Sequence, residues 1–130
     1  MTATHRGTIL VVEDEEPLAR FMQWELEAAG FEVRAERCGK AALTYAAEHR
    51  PNLVVLDLRL PDLHGYQVCG ELRKLFHPWA VPVVMLTGMA RPVDQLRGFA
   101  HGADAYLTKP YAPSELVKTI TMLLGETASV

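Results

Sequence analysis

The sequence predicts an α/β domain, a doubly wound sheet of five strand-helix units, and three observations predict it. Apolar runs alternate with amphipathic segments five times along the chain. Three of those runs are rich in Val, Ile, Leu and Met instead of alternating, which fits strands covered on both faces of a parallel sheet. The 130 residues make one domain by length, long enough to bury a real core.

The strands are expected at Thr8–Val12, Phe31–Ala35, Leu53–Leu56, Val81–Leu86 and Ala105–Leu107. The second one alternates, with Phe31, Val33 and Ala35 apolar and Glu32, Arg34 and Glu36 charged, as suits a sheet edge. The first helical stripe is Leu18, Phe21, Met22, Leu26 and Ala29, stopped by Gly30. Glu15, Glu16 and Pro17 open that helix, because its dipole favours acids and proline there gives up no needed N–H. Ala42, Leu43, Ala46 and Ala47 form a second stripe ahead of Pro51, and Val68, Cys69, Leu72, Leu75 and Phe76 a third, closed by Pro78. Val93, Leu96 and Ala100 make a fourth, weaker stripe, running to Gly102. Ser114 followed by Leu116, Val117, Ile120, Leu123 and Leu124 gives the fifth.

Composition excludes several functions. With 49% hydrophobic and 22% charged residues the chain is neither disordered nor collagen-like. A net charge of −3 and scattered single cations such as Arg20, Lys40 and Arg97 leave no footprint for direct nucleic-acid binding. Cys38 and Cys69 stand in no metal or disulfide spacing and are read as reduced thiols. MTATHRG carries no apolar signal region and no stretch has the length of a membrane span, so a cytoplasmic protein without membrane contact is expected.

In a doubly wound sheet, ligands gather beyond the carboxyl ends of the strands. Those ends carry Glu13-Asp14, Asp57, Thr87-Gly88 and Lys109-Pro110. The acids are crowded: Glu13 to Glu16 run without a break, and two carboxylates about 5 Å apart repel by roughly 3 kcal/mol at an effective dielectric near 20. A hard divalent cation would make the crowding tolerable, since Mg²⁺ takes a few carboxylates and keeps several waters. Glu13 and Asp14 would then serve the metal, Glu15 and Glu16 the helix.

VVEDEE at 11–16, VVLDLRLPDLHG at 54–65, MLTG at 85–88 and GADAYLTKPY at 102–111, taken together, resemble the receiver domains of two-component response regulators, chemotaxis-regulator-like proteins included. The resemblance covers about Thr8 to Leu124. It implies a flavodoxin-like fold, a five-stranded parallel sheet in the order 2-1-3-4-5. It further implies that Asp57 accepts a phosphoryl group from a histidine on a sensor kinase or phosphotransfer protein. Asp14, Asp57 and the backbone carbonyl of Arg59 would hold Mg²⁺, or Mn²⁺ in its place, and Glu13 would act through a coordinated water. Glu13 stands where many relatives have aspartate, so altered metal affinity is expected. Lys109 would pair with a phosphoryl oxygen, placed by a cis bond to Pro110. Thr87 would hydrogen-bond the new phosphoryl group and Tyr106 would swing inward as Thr87 moves. Arg59 and Met89 would tune water attack on the acylphosphate.

Other residues earn less. Pro61 and Gly65 shape the turn after Asp57, and His64 is read as a solvent-facing loop residue. His5, His49, His77 and His101 have no ligand spacing; Trp24 and Trp79 are expected at the surface. An aspartate-nucleophile phosphatase of the haloacid-dehalogenase type would need an acid where Arg59 stands. A non-phosphorylated docking module would typically have lost one of the acceptor, the acids or the lysine. Only Gly125–Val130 follow the fifth helix, so residues 1–130 are read as one receiver domain without an output domain. Ala105, Thr119 and Thr121 replace charged residues by which the DNA-binding subfamily dimerises, so that dimer is not expected.

Overall fold

The computed structural model describes residues 6–78, 80–88 and 91–125; His5, Trp79 and Met89 lie outside them. Five strands alternate with five helices: β1 (Thr8–Val12), α1 (Glu16–Ala28), β2 (Glu32–Glu36), α2 (Gly39–His49), β3 (Leu53–Asp57), α3 (Gly65–Leu75), β4 (Val83–Thr87), α4 (Pro92–Ala100), β5 (Ala105–Thr108) and α5 (Pro113–Leu123). All strand pairs are parallel, in the order β2-β1-β3-β4-β5. The expected strands are all found, with β2 shifted one residue towards its carboxyl end and β4 beginning at Val83 instead of Val81. Pro82 has no N–H for a ladder, which accounts for the late start.

Alternation along each central strand builds two cores. Leu10, Val12, Val54, Leu56, Val83 and Met85 face α2 and α3 through Ala42, Ala46, Val68, Cys69 and Leu72. Ile9, Val11, Leu53, Val55, Val84 and Leu86 face α1 and α5 through Met22, Leu26, Leu116 and Ile120. Burial of each such aliphatic side chain contributes about 1.5–3 kcal/mol. The central strands therefore have no polar face, as their composition implied, and the edge strands β2 and β5 are half-buried.

Helix α4 is found where its stripe placed it, but turns that stripe away from the core. Val93, Leu96 and Phe99 point outward, 42%, 68% and 47% exposed, and Ala100 is exposed as well. The buried side is Asp94 and Gly98. The Asp94 carboxylate turns back onto Arg91 N–H and guanidinium at 3.0–3.3 Å, and Gly98 lies against the Tyr106 ring. A capping acid and a gap for an aromatic ring thus occupy the inner face, and the apolar stripe faces solvent. Gly65 also has its own reason: a Cβ there would sit 2.6 Å from Leu58 Cα and 2.9 Å from the Asp57 carbonyl oxygen, so close approach demands glycine. Cys38 and Cys69 are free, and no helix among the described residues is long and apolar enough to cross a membrane.

Candidate functional site

Register brings the strand ends together. Val12 pairs with Leu56, Asp57 with Leu86 and Thr87 with Thr108, so the residues that end β1, β3, β4 and β5 share one rim. They line a cleft of about 450 Å³ formed by Asp14, Glu15, Asp57, Arg59, Thr87, Gly88 and Lys109. Glu13 is fully buried beside it.

The crowded acids are relieved by one cation. Lys109 Nζ donates to Glu13 Oε1 at 3.1 Å and to Asp57 Oδ2 at 3.3 Å, and lies 3.6 Å from Glu15 Oε1. The second oxygen of Glu13 accepts the Glu15 N–H at 3.1 Å, and Asp57 Oδ1 accepts the Arg59 N–H at 3.2 Å. Burial pushes the Glu13 carboxyl up to about 7, with the Asp57 charge adding to it and the Glu15 N–H and Lys109 opposing. Burial by itself would lower Lys109, but hydrogen bonds and charge from Glu13 and Asp57 outweigh it and the ammonium lies above its ordinary range.

Glu13, Asp14 and Asp57 each offer a carboxylate oxygen, and these atoms lie within 4.8 Å of one another. Three hard oxygen donors around an open cleft fit a divalent cation of the Mg²⁺ kind. Glu15 does more than open α1. It is the N-cap residue but makes no side-chain cap, and it stands at the cleft rim near Lys109.

Of the sequence-derived candidates, Asp14, Asp57, Arg59, Thr87 and Lys109 meet in the cleft, with Glu13 against it. The Lys109–Pro110 bond is cis, and the Lys109 N–H donates to the Thr87 carbonyl at 2.8 Å. Tyr106 lies apart, on β5, its ring over Gly98 of α4 and 6.4 Å from that of Phe99.

Two residues of the β3–α3 loop have capping roles that sequence reasoning missed. Asp62 reaches across to the start of α2, accepting the N–H groups of Gly39 at 2.8 Å and Lys40 at 2.9 Å. The Lys40 N–H foremost holds that carboxyl below its usual range. Helix α2 has no side-chain cap from its own N-cap residue, Cys38, so the β3–α3 loop supplies one and is tied down in return. His64 is exposed as expected, yet its Nδ1 accepts the Tyr66 N–H at 3.1 Å and its N–H donates to Gln67 Oε1, so it caps α3. Pairing across 23 residues leaves no local signal; the His64 to Gln67 spacing does resemble a capping box, with histidine in an unusual role.

The chain belongs to the response regulator receiver domain family, whose model matches residues 9–121. It is 43% identical over 117 residues to the DNA-binding response regulator MtrA of Mycolicibacterium smegmatis, covering 90% of this chain and 50% of MtrA. It is 39% identical over 116 residues to the alkaline phosphatase synthesis transcriptional regulatory protein PhoP of Bacillus subtilis, covering 89% of this chain and 48% of PhoP. The chain thus spans about half the length of these relatives. Among solved structures, the receiver domain of the sensor histidine kinase PA1611 from Pseudomonas aeruginosa, with magnesium coordinated in its active-site cleft, superposes with a TM-score of 0.84 at 29% identity, covering 92% of this chain and 98% of that one. The fold class, the strand order and the receiver function expected from the sequence are therefore those of the protein. Receiver domains are signalling modules that partner with sensor histidine kinases.

Proposed function

We propose that Asp57 is the phosphoacceptor of this receiver and that the cleft performs one phosphoryl transfer onto itself per signalling event, with no turnover of an external substrate. The observation that carries this reading is the placement of Asp57. Asp57 is 5% exposed at the end of the central strand, its carboxylate within hydrogen-bond reach of Lys109 and beside the oxygens of Glu13 and Asp14.

A carboxylate oxygen of Asp57 attacks the phosphorus of a phosphohistidine on a kinase or phosphotransfer protein. The new O–P bond forms as the P–N bond breaks, and the imidazole leaves with a proton from solvent. Transfer of this kind depends on alignment and charge neutralisation. Lys109, already 3.3 Å from Asp57 Oδ2, supplies one positive charge. Asp14, Asp57, the Arg59 carbonyl and Glu13 through a water would hold Mg²⁺, with Mn²⁺ as a substitute; the ion supplies further charge neutralisation and alignment. Thr87, buried at the end of β4, would hydrogen-bond the phosphoryl group. Phosphorylation adds charge and acceptor oxygens that Thr87 and Lys109 bind in one arrangement better than in the other, which shifts the balance between two states. Tyr106 carries that shift to the face of α4, β5 and α5, where a downstream effector or tethered domain would read it. The working location is the cytoplasm, and this chain makes no contact with nucleic acid itself.

Incubation with Mg²⁺ and a small acylphosphate donor, read by intact mass, is the test. One added phosphoryl group is expected, dependent on Mg²⁺ and absent from Asp57→Asn. A folded Asp57→Asn chain that still gains the group would show that the acceptor is another residue.

A further inference from the structure

The inner face of α1 carries a residue that does not belong to an apolar helix face. Ala19, Met22 and Leu26 are buried there, and so is Glu25, 9% exposed. One of its oxygens, Oε1, accepts the phenol proton of Tyr111 at 3.3 Å; the other, Oε2, is buried with no hydrogen-bond partner. A buried carboxyl with a bare oxygen is unfavourable, and an apolar pair in place of Glu25 and Tyr111 would bury more apolar surface without that desolvation cost. Burial accordingly raises the Glu25 carboxyl, against the Tyr111 hydrogen bond, and burial followed by the Glu25 charge raises the Tyr111 phenol. The pair does little for stability, so what it contributes is direction.

Tyr111 lies two residues beyond Lys109, on the loop between β5 and α5. That loop is fastened before and after the lysine. On the strand side the Lys109 N–H donates to the Thr87 carbonyl; on the other side the Tyr111 hydroxyl reaches across to α1. Between these anchors lies the open apolar groove of Leu18, Phe21, Pro110 and the Lys109 stem, which gives the loop no polar hold of its own. The Lys109 ammonium reaches Glu13 and Asp57 together, at 3.1 and 3.3 Å, so a displaced loop backbone would draw it off one or both.

We propose that Glu25 and Tyr111 are positioning residues for phosphoryl transfer: their hydrogen bond latches the loop to α1 and holds Lys109 over Asp57. Neither side chain touches the reacting atoms. This inference rests on Asp57 being the phosphoacceptor, and the experiment separates the two.

Acylation of the full chain by a small acylphosphate is followed by intact mass at saturating Mg²⁺ over a range of donor concentrations, with Mg²⁺ affinity measured by calorimetry and stability by urea. Tyr111→Phe is expected to lower the maximal rate on the order of tenfold, because a group displaced by 1 Å can cost up to about a hundredfold. Donor half-saturation and Mg²⁺ affinity stay unchanged, since the latch touches no metal ligand. Glu25→Gln keeps an acceptor for the phenol and holds the rate within about twofold of wild type. The double variant Glu25→Leu/Tyr111→Phe replaces both partners by apolar groups, so it recovers stability but not rate. The latch is overturned if Tyr111→Phe acylates at the wild-type rate, if Glu25→Gln falls as far as Tyr111→Phe, or if the double variant recovers rate together with stability. A wild-type chain that gains no phosphoryl group overturns the latch together with the acceptor assignment.

Discussion

At the scale of single residues, the site is a problem of charge in a confined space. Glu13 is fully buried, Asp57 nearly so, and Lys109 is the ammonium between them. Burial, with the Asp57 charge adding to it, raises the Glu13 carboxyl from 4.5 to about 7 although Lys109 lies beside it. The consequence for stability has a definite sign. Between pH 4.5 and 7 the folded metal-free chain binds more protons than the unfolded one, so stability falls as pH rises across that window and levels off above it. The shift corresponds to at most about 3 kcal/mol. Glu25 is also raised and contributes with the same sign. Asp62 and Asp94 are lowered, so their contribution is lost at the acid end, below about pH 3.8, and does not mask the window. Urea unfolding of metal-free protein from pH 4.5 to 8 should show the decline, and Glu13→Gln should flatten most of it. An unchanged slope in that variant would mean that Glu13 is already ionised at pH 5.

At the scale of elements, α4 shows how far local pattern reaches and where it stops. The central strands were legible because burial on both faces leaves a composition no other element shares, and α1 and α5 because their stripes pack on the core, except Phe21 of α1, which is 41% exposed. Helix α4 was legible as a helix but not as to its orientation. Val93, Leu96 and Ala100 satisfy the periodicity of an inner face, whereas the true inner face, Asp94 and Gly98, is defined by what it touches: Arg91 and the ring of Tyr106. The site divides in the same way. Residues at strand ends could be placed from the sheet alone, while Asp62 on the α2 amides and Glu25 under Tyr111 depend on tertiary neighbours. Gly98 gives a test of the packing. Gly→Ala inside a helix ordinarily stabilises by up to about 1 kcal/mol. Here the new Cβ would stand 2.6 Å from Tyr106 Cδ2, and overpacking costs typically 1–3 kcal/mol. The clash wins, so Gly98→Ala should lower the thermal midpoint by a few degrees and shift the Tyr106 ring resonances. A raised midpoint would show that the ring yields without cost.

At the scale of the molecule, the charge and apolar character of the α4–β5–α5 face bear on assembly. The positions where ion pairs would join two copies are occupied otherwise. Ala105 has no charge to offer, Thr119 Oγ1 donates to the Glu115 carbonyl within its own helix, and Thr121 Oγ1 accepts from Arg6 at 3.0 Å. Asp104 is engaged inside the domain, by Arg73 and by the Val83 N–H, both at 2.8 Å. What α4 exposes instead is the row Val93, Leu96 and Phe99, spaced three apart and therefore on one side of the helix. Such a row suits a partner with an apolar surface of its own better than a salt-bridged copy of this chain. Sedimentation velocity at tens of micromolar, with and without the acylphosphate donor, should accordingly give a monomer in both states. Dimers that appear on phosphorylation and dissolve in high salt would show that ion pairs other than these join the copies. Dimers insensitive to salt and abolished by Leu96→Asp would place the self-contact on the apolar row.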